Sequence, residues 1–311
     1  MASAEVCTRR RQAIADGSLL AVSLVWGVTF PVVKGALQDA NPLSFCALRL
    51  GGAALLLALF FRPHWRLLPA ATWGAGALLG LFLGSGYCLQ TAGLEWTSPA
   101  AAAFITSISV VLVPLLLAVF WGRRLRARAW AGAAVALAGL YLLVAAPTAA
   151  GTGRAATWHG DALVGACALA FALQIVCLGE WAPRLGFRDL AVLQIVFAAI
   201  FTWIALPAVS HPQWHSTPRL WVALAITAVL ATAVAFTVQS WAQQFTPATH
   251  TAVIFAAEPV FAWLASSLGW HEPLRLAQGG GAVLIVAAML IVEWHPREAS
   301  SGAAVPGVRP E

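Results

Sequence analysis

The sequence predicts an all-α integral membrane protein, with ten transmembrane helices in two inverted five-helix repeats and both termini in the cytoplasm. Three observations support this fold class. The 311 residues are 60% hydrophobic and 10% charged, with a mean hydropathy of +0.81, whereas about 25% of the residues in a soluble domain are charged. The apolar residues form ten runs, each close to the roughly 20 residues that cross a bilayer as a helix. The second half of the chain repeats the pattern of the first.

Each apolar run ends at Pro, Gly or a charged residue, and the loops between runs are too short to hold a folded domain. The first run follows a polar segment that contains Arg9, Arg10 and Arg11. Because this run is too long for the apolar core of a signal peptide and has no clear cleavage site, we interpret it as a retained helix. The predicted helices are 18–37, 43–61, 72–94, 98–121, 129–146, 161–182, 189–209, 219–244, 247–269 and 276–293.

These runs divide the chain into two repeats with polar ends. The first repeat is residues 18–146, and the second is residues 161–293. The linker that joins them, 147–160, is rich in Ala, Thr and Gly. Residues 1–17 are predicted to form a cytoplasmic tail. Residues 294–311 contain Pro, Gly, Ser and charges, which is the composition of a disordered cytoplasmic tail.

The basic residues indicate the orientation in the membrane. With the N-terminus inside, thirteen of the 18 Lys and Arg residues lie in cytoplasmic segments and four lie outside, while Arg49 lies within the second helix. The positive-inside rule therefore places both termini in the cytoplasm. Charges this sparse are topology signals, so the net charge of +6 does not predict nucleic-acid binding. Five cysteines without a CxxC pair predict neither a disulfide framework nor a metal site.

An internal repeat relates the two halves of the chain. Trp26 aligns with Phe171 at an offset of 145 residues, and Arg49 then aligns with Gln194. Further along, the segment 97–107 resembles 246–256 at an offset of 149. Since each half has an odd number of spans, the second half must enter the membrane upside down. Inverted repeats of this kind are typical of secondary transporters, which bind substrate near the midplane between the halves.

Three segments resemble the two EamA domains of the drug/metabolite transporter superfamily: 25–56, 106–143 and 257–286. The resemblance covers about 18–293 and includes a W-G-x-x-F motif, the arginine of the second helix and an E-P-V motif. It implies a ten-helix exporter or importer of small metabolites in the cytoplasmic membrane, with a central cavity between the halves.

This chain departs from the family pattern at two places. Val110 stands where the second repeat has Pro259, which implies an asymmetric cavity. An acidic residue often follows the fourth helix in the family, but this chain has Arg123 and Arg124 there, and only the second repeat keeps an acid, Glu272. These differences leave the acid-based coupling of some relatives open for this chain.

Glu258 and Pro259 lie side by side near the middle of the predicted ninth helix. A charged side chain at this depth costs about 2.5–3.5 kcal/mol. Pro259 lacks an N–H and crowds the carbonyl of Phe255, so the helix is expected to kink. An acid beside a broken backbone indicates a solvated cavity inside the bundle. The alternative is a protonated Glu258 bonded to a neighbouring helix, with Pro259 serving only the shape of the helix.

Three further polar or aromatic positions lie in the first two helices. Trp26 offers a stacking face and an N–H donor, and Gly27 allows a helix or a ligand to approach, although core packing explains both residues equally well. Arg49 lies about 10 Å inside the second helix. It is expected either to bind an anionic group of the substrate or to fix the fold by bonding to carbonyls or to an acid. Lys34, near a helix end, is expected to reach the outer headgroups.

Glutamines in the spans are candidates for lining the cavity. Gln90 and Gln174 are favoured because Tyr87 and Phe171 lie one turn away, and the alternative is that amides join helices. His250 lies eight residues before Glu258, a spacing that allows both to share a helix face. A His/Glu proton route is therefore a candidate for coupling, and a lone interfacial histidine is the alternative. Gly76, Gly80 and Gly84 predict close backbone packing of the third helix.

These observations predict a transporter, not an enzyme. The sequence lacks the metalloprotease, hydrolase and phosphate-binding motifs, and it calls for no cofactor. We expect a secondary transporter, an exporter of small metabolites or drug-like compounds, that works by alternating access in the inner membrane. Its partners are a small-molecule substrate and the lipid bilayer, and a homodimer is left open. The alternative is a flippase for a lipid-linked carrier or an intramembrane lipid-modifying protein. The predicted substrate pathway is Trp26, Arg49, Tyr87, Gln90, Gln174, Glu258 and Pro259, with Glu258 and His250 as candidates for proton coupling.

Overall fold

The computed structural model describes residues 2–61, 67–145, 158–270 and 276–293. These residues form helices and contain no β-strand, apart from an isolated bridge between Ala40 and Trp214. A π-helical segment, Val229–Val234, lies between α9 and α10. The α-helices are α1 Ala2–Ala36, α2 Pro42–Phe61, α3 Ala70–Trp96, α4 Pro99–Ser107, α5 Ser109–Phe120, α6 Ala127–Ala145, α7 Trp158–Leu185, α8 Phe187–Val209, α9 Pro218–Ala228, α10 Ala235–Ala242, α11 Ala248–Phe255, α12 Glu258–Trp270 and α13 Leu276–Glu293.

The helices are those of a multi-pass membrane protein. In the described part of the chain, eight helical stretches are long and apolar enough to cross a bilayer. Two shorter apolar helices, Ala127–Leu142 and Leu276–Val292, coincide with the predicted fifth and tenth helices. The all-α membrane fold class is therefore confirmed.

The first helix begins much earlier than predicted. α1 starts at Ala2, so the helix includes residues 2–17, which were predicted to form a cytoplasmic tail ahead of it. The Ala, Glu, Arg and Gln residues of this polar start are good helix formers. α7 begins at Trp158, so the end of the predicted linker 147–160 is also helical. The rest of that linker and the predicted tail 294–311 lie outside the described residues.

The packing has the symmetry that two inverted repeats require. α6 lies along α13, and α2 lies along α8. α1 packs against α11 and α12, just as α7 packs against α4 and α5. The contacts α6–α13 and α2–α8 therefore each pair helices that hold equivalent places in the two halves. The contacts of α1 in the first half have their equivalents in the contacts of α7 in the second.

The glycine face of α3 packs against α8. A Cβ added at Gly80 would lie 2.5 Å from the Cβ of Phe197 and 2.8 Å from the carbonyl oxygen of Gln194. At Gly76 an added Cβ would lie 2.5 Å from the Cβ of Leu193. The two backbones come this close because neither glycine has a side chain.

Lys34 does not reach the outer headgroups, so that expectation is wrong. Its ammonium group donates to carbonyl oxygens at the end of α3, those of Leu94, of Glu95 at 3.4 Å and of Thr97 at 3.2 Å. The last carbonyls of a helix lack partners and carry partial negative charge, so they attract a nearby cation. Lys34 thus ties the outer end of α1 to that of α3.

The two repeats are also linked at the helix ends that are predicted to face outside, by an outer latch defined as Asp39, Thr217 and Arg219. The Arg219 guanidinium donates to both carboxylate oxygens of Asp39, at 2.7 and 2.9 Å, and the Thr217 hydroxyl donates to the same carboxylate at 2.8 Å. The hydrogen bond from Arg219 is the largest cause that lowers the pKa of Asp39, to about 2. The latch therefore stays ionised at physiological pH.

Replacing Gly80 with Ala should destabilise the protein by about 1–3 kcal/mol, because the added methyl group overpacks the contact with α8. The matched control is Gly74→Ala in the same helix, since a Cβ there meets nothing within 4 Å. It should be neutral, or stabilising by up to about 1 kcal/mol through helix propensity. Thermal unfolding in detergent measures both variants, and equal melting temperatures would contradict the packing argument.

Asp39→Asn should lower stability at neutral pH and lose its effect in acid. A depressed pKa in the folded state means that the latch contributes stability above the unfolded pKa of about 3.9. That contribution is lost as the pH falls through about 2, the pKa of the folded state. The melting temperatures of wild type and variant should therefore converge between about pH 4 and pH 2. A constant difference across this range would show that the charge of Asp39 does not carry the effect.

Candidate functional site

A cavity of about 740 Å³, counting its open part, lies at the centre of the bundle. Its wall combines aromatic, amide, hydroxyl and charged side chains from both repeats. Eight residues were predicted for the substrate pathway or for proton coupling, and Pro259 and His250 do not line the cavity. The six that line it are Trp26, Arg49, Tyr87, Gln90, Gln174 and Glu258.

The predicted break in the ninth helix is present. α11 ends at Phe255, Ala256 and Ala257 form a turn, and α12 begins at Glu258 with Pro259 as its second residue. Proline is well placed in a first helical turn, where its missing N–H is not needed. Pro259 therefore shapes the cavity wall without lining it. Glu258 lies where the positive end of α12 favours a carboxylate.

A second break, in the fourth helix, was not predicted. α4 ends at Ser107 and α5 starts at Ser109, with Ile108 between them. The Ser107 hydroxyl donates to the carbonyl of Ala103 at 2.9 Å, a bond that bends helices. Ser109 precedes Glu258 by 149 residues, the offset of the repeat. The backbones of the two repeats thus break at equivalent places. The asymmetry of the cavity at this point is therefore in the side chains, Ser109 in one repeat and Glu258 in the other, and not in the course of the backbone.

The carboxyl group of Glu258 has no protein partner in the described part of the chain. No hydrogen bond or ion pair to it is found there, although Glu258 is only 7% exposed. The alternative interpretation, a carboxyl bonded to a neighbouring helix, is therefore not what these residues show. A buried carboxyl normally finds partners. This one lines the cavity, where water or a ligand can bind it.

Gly27 allows α1 to contact the start of α12. A Cβ added at Gly27 would lie 2.6 Å from the carbonyl oxygen of Glu258 and 2.9 Å from the amide nitrogen of Ala262. A helix, not a ligand, therefore uses the space at this glycine. The preceding residue, Trp26, lines the cavity. Of these two neighbouring residues, Gly27 therefore packs against α12 and Trp26 forms part of the cavity wall.

Three donors of the first repeat converge on one carbonyl oxygen of the second. The oxygen of Ala231, in the π-helical segment, accepts from Trp26 Nε1 at 2.9 Å, from the Tyr87 hydroxyl at 3.2 Å and from Arg49 Nη2 at 3.3 Å. A π-helical segment disturbs the regular ladder of backbone bonds and is frequent at functional sites. The segment could not be predicted from the sequence, because residues 229–234 contain neither Pro nor Gly.

Arg49 is held by bonds that fix the fold. It is 4% exposed, its Nε donates to the Thr232 hydroxyl at 2.7 Å, and its Nη2 donates to the Tyr87 hydroxyl at 2.8 Å. The guanidinium also lies over the ring of Tyr87, 4.0 Å from its centroid, a cation–π contact. No carboxylate pairs with it among the described residues. Of the two roles expected for Arg49, these bonds match the structural one.

Glutamines form a chain across the second repeat. Gln174 donates to Gln194 at 2.9 Å and accepts from Gln239 at 3.1 Å, so both ends of its amide are used. Gln239 also donates to Gln243 at 3.0 Å, and its own amide oxygen is buried without a hydrogen-bond partner. Gln90 donates to the Thr106 hydroxyl at 3.1 Å. Gln174 therefore both lines the cavity and joins helices, the two roles that were expected as alternatives.

Aromatic rings line the cavity between these polar groups. The centroid of Trp26 lies 4.9 Å from that of Phe255 and 5.3 Å from that of Phe236. Tyr87 lies 5.5 Å from Phe171 and 5.9 Å from Phe236. Phe236 was missed from the sequence, although it follows Tyr87 by the same 149 residues that separate Gln239 from Gln90. Applying the repeat offset to each candidate would have found it.

The structure does not bring His250 to the cavity that Glu258 lines. The helix is interrupted between them, and the spacing of eight residues no longer fixes their relative direction. His250 Nδ1 instead lies 4.0 Å from a carboxylate oxygen of Asp16 in α1. The other oxygen of Asp16 accepts from the Thr246 hydroxyl at 2.6 Å. This group joins the repeats near the cytoplasmic ends of their helices. Within the described residues, no cluster of His, Cys, Asp or Glu fits a metal ion.

Known proteins match this chain along most of its length. The sequence profile of the EamA-like transporter family matches it twice, over residues 13–145 and 158–294. The chain belongs to the EamA-like transporter family. It is 33% identical over 278 residues to an uncharacterized transporter of Archaeoglobus fulgidus, covering 89% of this chain and 85% of that protein. It is 29% identical over 280 residues to the uncharacterized transporter YvbV of Bacillus subtilis, covering 86% of this chain and 88% of that protein.

A solved structure supports the fold of this EamA protein. A crystal structure matches it with a TM-score of 0.70, covering 88% of this chain and 94% of the other, at 20% sequence identity. At this identity the match concerns the fold alone. The family and its relatives show that the chain is a membrane transporter, and they point to a role other than catalysis.

Trp26→Phe should destabilise the EamA protein by about 1 kcal/mol, because it keeps an aromatic ring but removes the bond to the Ala231 carbonyl. The matched control is Trp221→Phe, which removes an exposed indole bond to the Ser216 hydroxyl. Water can replace that bond, so the control should change stability by less than about 0.5 kcal/mol. Thermal unfolding in detergent compares them, and an equal loss in both variants would contradict a special role for Ala231.

Proposed function

We propose that this EamA protein is a secondary transporter that exports small metabolites or drug-like compounds by alternating access. The observation that carries the proposal is the carboxyl group of Glu258, which has no partner in the described residues and lines a cavity between two broken helices. Discontinuous helices at a midplane site are a feature of many secondary transporters. An intramembrane acid in a cavity is in turn a common mark of a substrate or proton pathway.

The position of the cavity supports a conformation that faces outward. Val33 and Leu94 line it, and each lies within three residues of the outer end of its helix. Towards the cytoplasm, an apolar cluster of buried side chains joins the two repeats and includes Leu19, Leu116 and Ile254. The bond between Asp16 and Thr246 lies on the same side. The transport cycle would open this side and close the outer one.

The chemistry of the cavity favours a substrate with an apolar body and at least one hydrogen-bond donor. Rings such as Trp26, Phe236 and Phe255 provide stacking surfaces. The Glu258 carboxyl and the amide oxygen of Gln239 are acceptors without protein partners in the described chain. Donors of the first repeat are largely used within the protein, since Trp26 and Arg49 bond to the π-helical segment.

Glu258 is the proposed coupling residue. A single carboxyl that lacks a protein partner can bind either a proton or a donor group of the substrate. If the two compete, proton entry from outside would release substrate there and drive export. His250 has no part in this step, because its side chain lies against Asp16 and away from the cavity.

The test measures flux in proteoliposomes that contain wild type, Glu258→Gln or Glu180→Gln. Uptake of a mixed metabolite pool is followed by mass spectrometry, with and without a proton gradient. Wild type should show gradient-driven flux. In Glu258→Gln the rate of the gradient-driven flux should fall at least about tenfold, while passive exchange remains. The control Glu180→Gln removes a carboxylate that pairs with Arg123 outside the cavity, and it should keep the driven flux.

The outcomes separate the parts of the proposal. Equal flux in all three proteins, with no response to the gradient, would leave a transporter in which Glu258 is not the coupling acid. Loss of flux in the Glu180→Gln control would show that the effect is not specific to the cavity. Absence of any metabolite flux, together with movement of a lipid-linked probe between leaflets, would contradict the proposed function and favour a flippase.

A further inference from the structure

A strongly basic turn joins α5 to α6 on the cytoplasmic side. Gly122 has φ +59°, a left-handed conformation that favours glycine, and it turns the chain directly after α5. The amide of Arg123 donates to the carbonyl of Leu117 at 3.1 Å and closes the end of the helix. We call residues 123–128 the arginine turn, because they contain Arg123, Arg124, Arg126 and Arg128.

Only part of this charge is balanced within the protein. Arg123 Nη2 lies 2.6 Å from Glu180 Oε1, and the other oxygen of Glu180 lies 3.8 Å from Arg184 Nη2. Arg124 and Arg126 are exposed and form no ion pair or hydrogen bond with the described residues. One carboxylate therefore faces two arginines, while two more guanidinium groups remain open to the surroundings.

The arginine turn lies at the level where lipid headgroups are expected. The last residues of α5, Val119 and Phe120, are each 72% exposed, as expected for side chains that contact acyl chains. Trp121 and Trp130 flank the turn and are partly exposed. Tryptophan is enriched at the boundary between hydrocarbon and water. Phosphates of the membrane surface are therefore expected within reach of the open guanidinium groups.

The turn also lies where the two repeats meet. It connects helices of the first repeat, while Glu180 and Arg184 belong to α7 in the second. A phosphate bound beside the arginine turn would add an anion to a group in which one carboxylate, Glu180, faces both Arg123 and Arg184. Guanidinium groups bind phosphate through two parallel hydrogen bonds, so an anionic headgroup suits this cluster better than a neutral one.

We propose that the arginine turn, together with Arg184, binds the phosphate of an anionic phospholipid whose acyl chains lie along Val119 and Phe120. This site is separate from the central cavity and does not depend on the proposed function. The positive-inside rule accounts for arginines on this side, but it does not require them to gather at one contact between the repeats. A soluble phosphate would make no use of the apolar and tryptophan flanks.

The experiment uses the full-length protein in detergent, titrated with phosphatidylglycerol, phosphatidylcholine or inorganic phosphate. Thermal unfolding should shift upward by several degrees with phosphatidylglycerol, and by clearly less with the other two. The double variant Arg124→Gln/Arg126→Gln should lose at least half of the shift. The matched control, Arg10→Gln/Arg11→Gln, removes two exposed arginines of α1 and should keep it.

Photo-crosslinking of wild type gives a second test that needs no variant. A phosphatidylglycerol with a photoreactive group near its headgroup should label peptides from residues 117–130, and excess unlabelled phosphatidylglycerol should compete.

In the thermal-unfolding experiment, Arg124→Lys/Arg126→Lys should regain part of the shift, because it restores the charge without the planar guanidinium group. An equal loss of the shift in both glutamine variants, an equal shift with inorganic phosphate, or labelling spread over all cytoplasmic turns would overturn the site.

Discussion

The interaction on which the cavity depends is the convergence of three side chains on the carbonyl oxygen of Ala231. Trp26, Arg49 and Tyr87 come from the first three helices of the first repeat, and the oxygen comes from the π-helical segment of the second. A carbonyl in a regular α-helix is already used by its own ladder. The π-helical segment makes one available at the cavity wall, so that three side chains of the first repeat bind one backbone atom of the second.

This arrangement explains why Glu258 lacks an internal counter-ion. The charge of Arg49 is stabilised by the Ala231 carbonyl, the Thr232 hydroxyl and the ring of Tyr87. In the described part of the chain, it forms no pair with the acid in the same cavity. A salt bridge between the two would pair the carboxyl within the protein and remove it as a binding partner for a ligand. Because Arg49 is used elsewhere, the carboxyl of Glu258 remains accessible from the cavity.

Much of the fold and part of the site could be predicted from the sequence. The composition and the spacing of apolar runs predict the bundle, because a membrane span must be long, apolar and helical. Polar side chains in such spans rarely face lipid, and this is why residues such as Glu258 and Gln90 line the cavity. The break near Pro259 follows from the missing N–H of proline.

The rest depends on tertiary contacts that carry no local signal. The π-helical segment contains neither Pro nor Gly, and its shape is stabilised by Arg49 from another helix. The break at Ile108 depends on a side-chain bond of Ser107 that competes with the backbone. The separation of His250 from the cavity follows from the interruption of the helix before Glu258, which a spacing of eight residues does not reveal. The helical start of the chain was also not predicted, because residues 2–17 are polar and the prediction followed the apolar runs.

The central claim is that Glu258 is a protonatable carboxyl that lines the cavity without a protein partner. The most direct measurement is its reaction with dicyclohexylcarbodiimide, a reagent that attacks protonated carboxyls in apolar surroundings. Peptide mass spectrometry would follow modification of the full-length protein across a range of pH. We predict that Glu258 is modified before every other acidic residue of the spans, and more slowly as the pH rises. An unmodified Glu258, or a rate independent of pH, would contradict this account of the site.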